Sequence, residues 1–94
     1  MSYDKISRYQ TDVIESDGSG MVKYRNTVIV EWNAETITLR SGGWETVTTK
    51  RKMNQAANEF CLGFSVYQKN HDWFATLPNG ETVTFDDGMT FERN

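Results

Sequence analysis

The order of patterns along the chain is strands, one helix, strands, which predicts an α+β domain. In this reading an antiparallel β-sheet built of hairpins carries a single α-helix, at about residues 49–61, packed on one face. Three observations support it. Short runs alternate apolar and polar residues, as half-buried strands do. Turn-forming pairs such as Asp17-Gly18 and Asn79-Gly80 separate those runs. Only one stretch has helical spacing: Met53, Ala56, Ala57 and Phe60 fall at i, i+3, i+4 and i+7, on one stripe. At 94 residues the chain, 1–94, is a single domain with room for one modest core.

Taken in order, Met1–Ser7 shows no pattern and is expected to be disordered, as termini often are. Arg8–Glu15 and Met21–Tyr24 flank the turn Asp17-Gly18-Ser19-Gly20 and read as a hairpin. Thr27–Trp32 is the clearest strand, with Val28, Val30 and Trp32 on one face and Thr27, Ile29 and Glu31 on the other. Asn33-Ala34-Glu35 is a three-residue loop, and Thr36–Arg40 returns with Ile37 and Leu39 inward. After the helix, Gly63 stands where a C-terminal cap is expected. Phe64–Gln68 and Trp73–Leu77 pair across Lys69–Asp72, and Pro78 ends the second of them. Asn79-Gly80 predicts a type I′ turn into Glu81–Phe85. Met89 and Phe91 are expected to pack back on the core. Trp32, Phe64, Val66, Trp73 and Val83 are the expected bed of the helix.

The helix start breaks a rule. Thr48 or Thr49 can cap the first turn, but Lys50, Arg51 and Lys52 follow at once. The N-terminus of a helix is partly positive and favours acids, so each cation there costs about 0.3–1 kcal/mol when exposed. Free N–H groups, nearby hydroxyls and three cations together form a candidate anion site at Thr48, Thr49, Lys50, Arg51 and Lys52. The alternative is a solvated basic face drawn to the acidic C-terminal stretch. Residues 40–52 carry a net charge of +3 and residues 81–94 a net charge of −3, so the two blocks are expected to neutralise one another. Trp44, in a glycine-preceded turn, suits base stacking, a protein-interface anchor or closure of the core.

Composition narrows the classes. A net charge of −3 excludes a strongly basic nucleic-acid binder. The 13% of aromatic residues offsets a hydrophobic fraction of only 37%, so a folded soluble domain is expected. Cys61 is the only cysteine, which rules out an internal disulfide and suits a reducing, cytoplasmic setting; its simplest place is the core. No apolar run reaches membrane-spanning length, and Met1–Asp4 does not open a signal peptide. The Gly-Gly before the helix lacks Walker spacing and there is no G-x-G-x-x-G, so no cofactor is expected. His71 is the single histidine and sits in a turn, which assembles no catalytic set, and Asp86-Asp87 reads as a solvated turn rather than a metal loop. An enzyme is not expected. Tyr67 and Phe74 fall on the face away from the helix.

The pattern Gly42-Gly43-Trp44-x-Thr46-x-Thr48-Thr49-Lys50-x-x-Met53-Asn54-Gln55-Ala56 resembles one in short proteins of tailed bacteriophages. Gly63-Phe64-x-Val66-Tyr67-Gln68-Lys69 and Phe85-x-Asp87-Gly88-Met89 are similar to the same proteins, so the resemblance covers roughly Thr27–Phe91. It carries no assigned activity and transfers no site residue. It implies a bacterial host cytoplasm and a small accessory product acting on host components, including defence systems. Two non-catalytic readings follow. In the first, the protein docks on a host or phage protein as inhibitor or adaptor, through Trp44, the helix's polar face and a sheet edge. In the second, a nucleotide or nucleic-acid phosphate binds at the helix start around Thr48–Lys52. Self-association through an uncovered sheet face stays open.

Overall fold

Four hairpin-connected strands open the fold: β1 (Thr11–Ser16), β2 (Ser19–Tyr24), β3 (Thr27–Trp32) and β4 (Thr36–Leu39). The computed structural model describes residues 11–43 and 46–93. After β4 come the helix α1 (Val47–Glu59), then β5 (Ser65–Lys69), β6 (Asp72–Thr76), β7 (Thr82–Thr84) and β8 (Met89–Glu92). All pairings are antiparallel, and the α+β class holds. The strands divide into two sheets, however. One has five strands in the order β1-β2-β3-β4-β8, because β8 returns to pair with β4; the other has three, β5-β6-β7. The helix lies against β3 of the first sheet and β5 of the second.

The turns fix the hairpins, though not always as the sequence suggests. Asp17 and Gly18 both have positive φ, 49° and 84°, and join β1 to β2 in the two-residue form that matches strand twist. Asn70 and His71 do the same between β5 and β6, at 53° and 73°. Asn79-Gly80 does not form the expected type I′ turn, since of the two only Gly80 has positive φ. Gly80 N–H donates to the Leu77 carbonyl at 2.9 Å and Leu77 N–H to the Glu81 carbonyl at 2.7 Å, closing a three-residue loop. The cause is Pro78, whose fixed φ suits the first central position of a type I turn and leaves the left-handed position to Gly80.

Between β2 and β3 the register moves from Val22↔Val30 to Lys23↔Val28, so Ile29 is the extra residue of a bulge. The bulge breaks the alternation read from the sequence, and Ile29 is buried along with its neighbour Val30. One core follows, made of Val22, Ile29, Val30, Trp32, Ile37, Leu39 and Phe91 from the first sheet with Met53, Ala56 and Ala57 from α1. Leu62, Phe64, Val66, Trp73 and Phe85 complete it from the second half of the chain. Of the expected helix bed, Trp32, Phe64, Val66 and Trp73 are buried and Val83 is half-buried. Trp32 packs on Phe60, ring centres 4.8 Å apart. It also crosses Gly20, where a Cβ would lie 2.6 Å from the indole and 2.5 Å from the Ile14 carbonyl oxygen, so only glycine fits.

Polar groups tie the ends together. The Arg93 guanidinium donates to the Gly18 carbonyl at 3.0 Å and the Asn33 carbonyl at 2.9 Å, holding two hairpin turns. Asp87 Oδ1 accepts from the Ser41 N–H at 2.9 Å, a structural anchor where the sequence reading had a solvated turn. Arg40 pairs with Glu31 on the adjacent strand at 3.0 Å, not with the C-terminal acids.

The helix spans Val47–Glu59 rather than 49–61, because the cap is Thr46. Its backbone is extended, its hydroxyl accepts from Thr49 N–H at 3.2 Å, and its carbonyl accepts from Lys50 N–H at 3.1 Å. At the other end Leu62 N–H reaches back to the Ala57 carbonyl at 2.9 Å while Cys61 takes the left-handed position, φ 55°. The C-cap is therefore Phe60, the left-handed residue after it is Cys61 rather than Gly63, and Cys61 is exposed rather than in the core.

Candidate functional site

Successive helical residues are rotated by about 100°, so three consecutive cations cannot share one direction. Their fates differ accordingly. Lys52 points inward and is only 3% exposed, with Nζ 5.0 Å from the centre of the Tyr24 ring. That burial holds its pKa below the usual lysine value of 10.5. Lys50 extends toward the second sheet, Nζ 5.9 Å from the Trp73 ring centre. Arg51 is exposed. The expected basic cluster at the helix start is thus dispersed, and Lys52 is a core residue rather than a surface ligand. Thr48 is exposed, while Thr49 is fully buried with its hydroxyl 3.1 Å from that of Thr46. Trp44 lies outside the described residues.

Two concavities flank α1. The first is a pocket of about 200 Å³ where the first turn meets the end of the larger sheet. Tyr24, Arg25, Thr27 and Ile29 form the sheet side, and Ser41, Thr46, Thr48 and Thr49 the helix side. The first N–H groups of a helix have no partner four residues back, so Val47 and Thr48 turn theirs out of the helix start. Arg25 stands at this pocket with its guanidinium carbon 5.5 Å from the Tyr24 ring centre. It is a site residue the sequence reading missed, because only the β2–β3 turn, where Arg25 has φ 54°, brings it beside the helix. The arrangement suits a small anion. It is below the roughly 300 Å³ at which ligand pockets usually begin, so a base or sugar would not follow the anion inside.

The second is an open groove of about 280 Å³ along the outer side of α1, lined by Val47, Lys50, Arg51, Asn54, Gln55 and Asn58. Val47 is 60% exposed, among the few large apolar side chains that face outward. Asn54 pairs with the edge of β5: its Nδ2 donates to the Val66 carbonyl at 2.8 Å and its Oδ1 accepts from Val66 N–H at 2.7 Å. The adjacent Gln55 is only 7% exposed, and its Oε1 has no donor among the described residues. Neither amide was a candidate from the sequence, where both read as ordinary polar helix residues.

Elsewhere, a shallow depression of about 480 Å³ on the outer face of the larger sheet includes Ile14, Met21, Thr36 and Thr38. Tyr67 and Phe74 stack 5.6 Å apart on the outer face of the smaller sheet, as the alternation implied. Among the described residues no three His, Cys, Asp or Glu side chains come together as metal ligands, and His71 is exposed in its turn. No described helix is long and apolar enough to cross a membrane.

A family model described as Kyanoviridae Gp96 protein matches residues 1–92. The chain belongs to the Kyanoviridae Gp96 protein family. The Gp96 family is one of tailed-phage proteins, which agrees with the resemblance carried by the Gly42–Ala56 pattern. The match extends that resemblance to nearly the whole chain and attaches no activity to any residue. No curated protein and no solved structure matches the chain.

Proposed function

We propose that this protein is a non-catalytic binding protein that docks on a host or phage protein, as inhibitor or adaptor, through the outer side of α1. The observation that carries this reading is the exposed Val47, 60% accessible, at the head of a groove flanked by Lys50 and Arg51. The helix keeps Met53, Ala56 and Ala57 inside, so an apolar residue left out beside two cations is a natural contact for a partner. The setting is the cytoplasm of a bacterial host.

The test is affinity purification of the tagged chain from phage-infected and uninfected bacterial lysate, beside a Val47→Asp, Lys50→Glu, Arg51→Glu variant. A stoichiometric protein held by the parent and released by the variant supports the reading. The same protein held equally by both overturns this choice of surface.

The pocket at the helix start favours a second reading, in which the phosphate of a nucleotide or nucleic acid is held by the first-turn N–H groups, Thr48 and Arg25. A phosphate group fits 200 Å³; the rest of the ligand stays outside. Calorimetry with inorganic phosphate and with AMP, repeated on Thr48→Val, tests it. Binding lost in the variant and weakened by salt supports this reading, and no heat with either probe removes it.

A further inference from the structure

We propose that the groove on the outer side of α1 receives an extended, acidic segment of the partner protein, whose backbone amide is read by the Gln55 carboxamide. This rests on the docking reading above and names what docks.

The argument starts from an imbalance between neighbours. Asn54 and Gln55 carry the same carboxamide, an NH2 donor group and a carbonyl acceptor in one plane. Asn54 turns its NH2 and its oxygen to Val66, meeting the outward N–H and C=O of an edge strand as another strand would. Gln55 is more than nine-tenths buried and lines the groove, yet its Oε1 meets no donor among the described residues. Buried polar atoms in folded proteins nearly always have a partner, so an orphan on a groove floor asks for one from outside. The last torsion of glutamine is soft, so the amide is free to turn toward a donor that enters the groove. A segment that follows the Asn54 pattern must be extended, because every second residue of such a chain offers N–H and C=O on the same side. A helix would have spent those groups on itself.

Charge selects the composition. Lys50 and Arg51 line the groove and no acid is among its described lining residues, although the whole chain carries −3. The complement is a segment bearing Asp or Glu, with an apolar side chain against Val47. At about 280 Å³ the groove holds a short stretch of extended chain rather than a folded element.

The experiment selects dodecapeptides from a random library against the whole chain and measures one of them, fluorescein-labelled, by anisotropy. An acidic consensus is expected, with affinity reduced about tenfold by Gln55→Met and by Lys50→Glu, the loss of one good polar contact. N-methylation along the peptide backbone is expected to abolish binding at a single central position. In the unmutated chain the Gln55 side-chain amide signals are expected to shift on titration with the peptide while those of Asn54 stay. That readout holds even where Gln55→Met fails to fold. No binder, a non-acidic consensus, indifference to Gln55→Met with unmoved Gln55 signals, or indifference to N-methylation overturns the proposal. A cellular partner lost on Val47→Asp, Lys50→Glu, Arg51→Glu but retained at full affinity by Gln55→Met also overturns it, and leaves the docking reading standing.

Discussion

The two sides of α1 use similar residues for opposite ends. On the inner side Thr49, Lys52, Met53, Ala56 and Ala57 are buried, and the polar ones among them are accommodated: Thr49 by the Thr46 hydroxyl, the Lys52 ammonium over the Tyr24 ring. On the outer side Val47 is exposed, Lys50 and Arg51 face a groove, and the Gln55 oxygen lacks a donor. The inner side is a core apart from Lys52, whose buried ammonium lies over the Tyr24 ring. The outer side breaks two rules of burial at once, an apolar residue out and an acceptor in, within three turns of helix. Two departures of this kind side by side on one face of the helix mark a face that answers to something besides folding.

The comparison can be broken most directly at Met53, which is fully buried on the inner side. Met53→Ala should lose about 2–5 kcal/mol in urea unfolding, the usual cost of emptying a buried methionine site. A loss below 1 kcal/mol would mean that α1 is loosely held. Asn54 stands between the two sides. Asn54→Ala removes both bonds to Val66 and should lose about 1–3 kcal/mol, with faster hydrogen exchange at the Val66 amide. Unchanged exchange there would show that β5 does not depend on the helix amide.

Lys52 sharpens the inner side through pH. Its folded pKa is lowered by burial, so the unfolded chain binds the proton more tightly than the folded one. Its contribution therefore improves as pH rises from the lowered value toward 10.5, and is lost as pH falls through it. Compared with Lys52→Met, the parent should gain stability across that alkaline window, as read by urea midpoints at successive pH values. Parallel curves would place the Lys52 ammonium in water.

Much of this fold was legible because its signals are local. Period-two alternation and short turns gave the strands, and the Met53–Phe60 spacing gave the helix. Failures came where two local signals competed or where a partner is distant in sequence. Thr46, Thr48 and Thr49 all offer a capping hydroxyl, and only the packing of Thr49 into the core decides for Thr46. Val28, Ile29 and Val30 are all apolar, so nothing in the run betrays the bulge. Pro78 overrides the Asn-Gly preference one residue later. The sorting of the strands into two sheets depends on β8 reaching β4 across the whole second half of the chain, a contact no local pattern encodes. For the site, the run Lys50-Arg51-Lys52 was visible but its meaning was not, since helical rotation separates the three charges and places one of them inside. Arg25 and Gln55 were invisible for the same reason as β8: what matters about them is their neighbours in space.

The measurement that bears most directly on the division of α1 is the equilibrium unfolding of Gln55→Met. If the Gln55 amide serves a partner and not the fold, replacing it by an apolar side chain of similar size removes an unpaired buried acceptor. Stability should then be unchanged or higher by up to about 1–2 kcal/mol. A loss of more than about 1 kcal/mol, the worth of a made hydrogen bond, would show that Gln55 is bonded within the folded chain, and the outer side of α1 would then be structural like the inner.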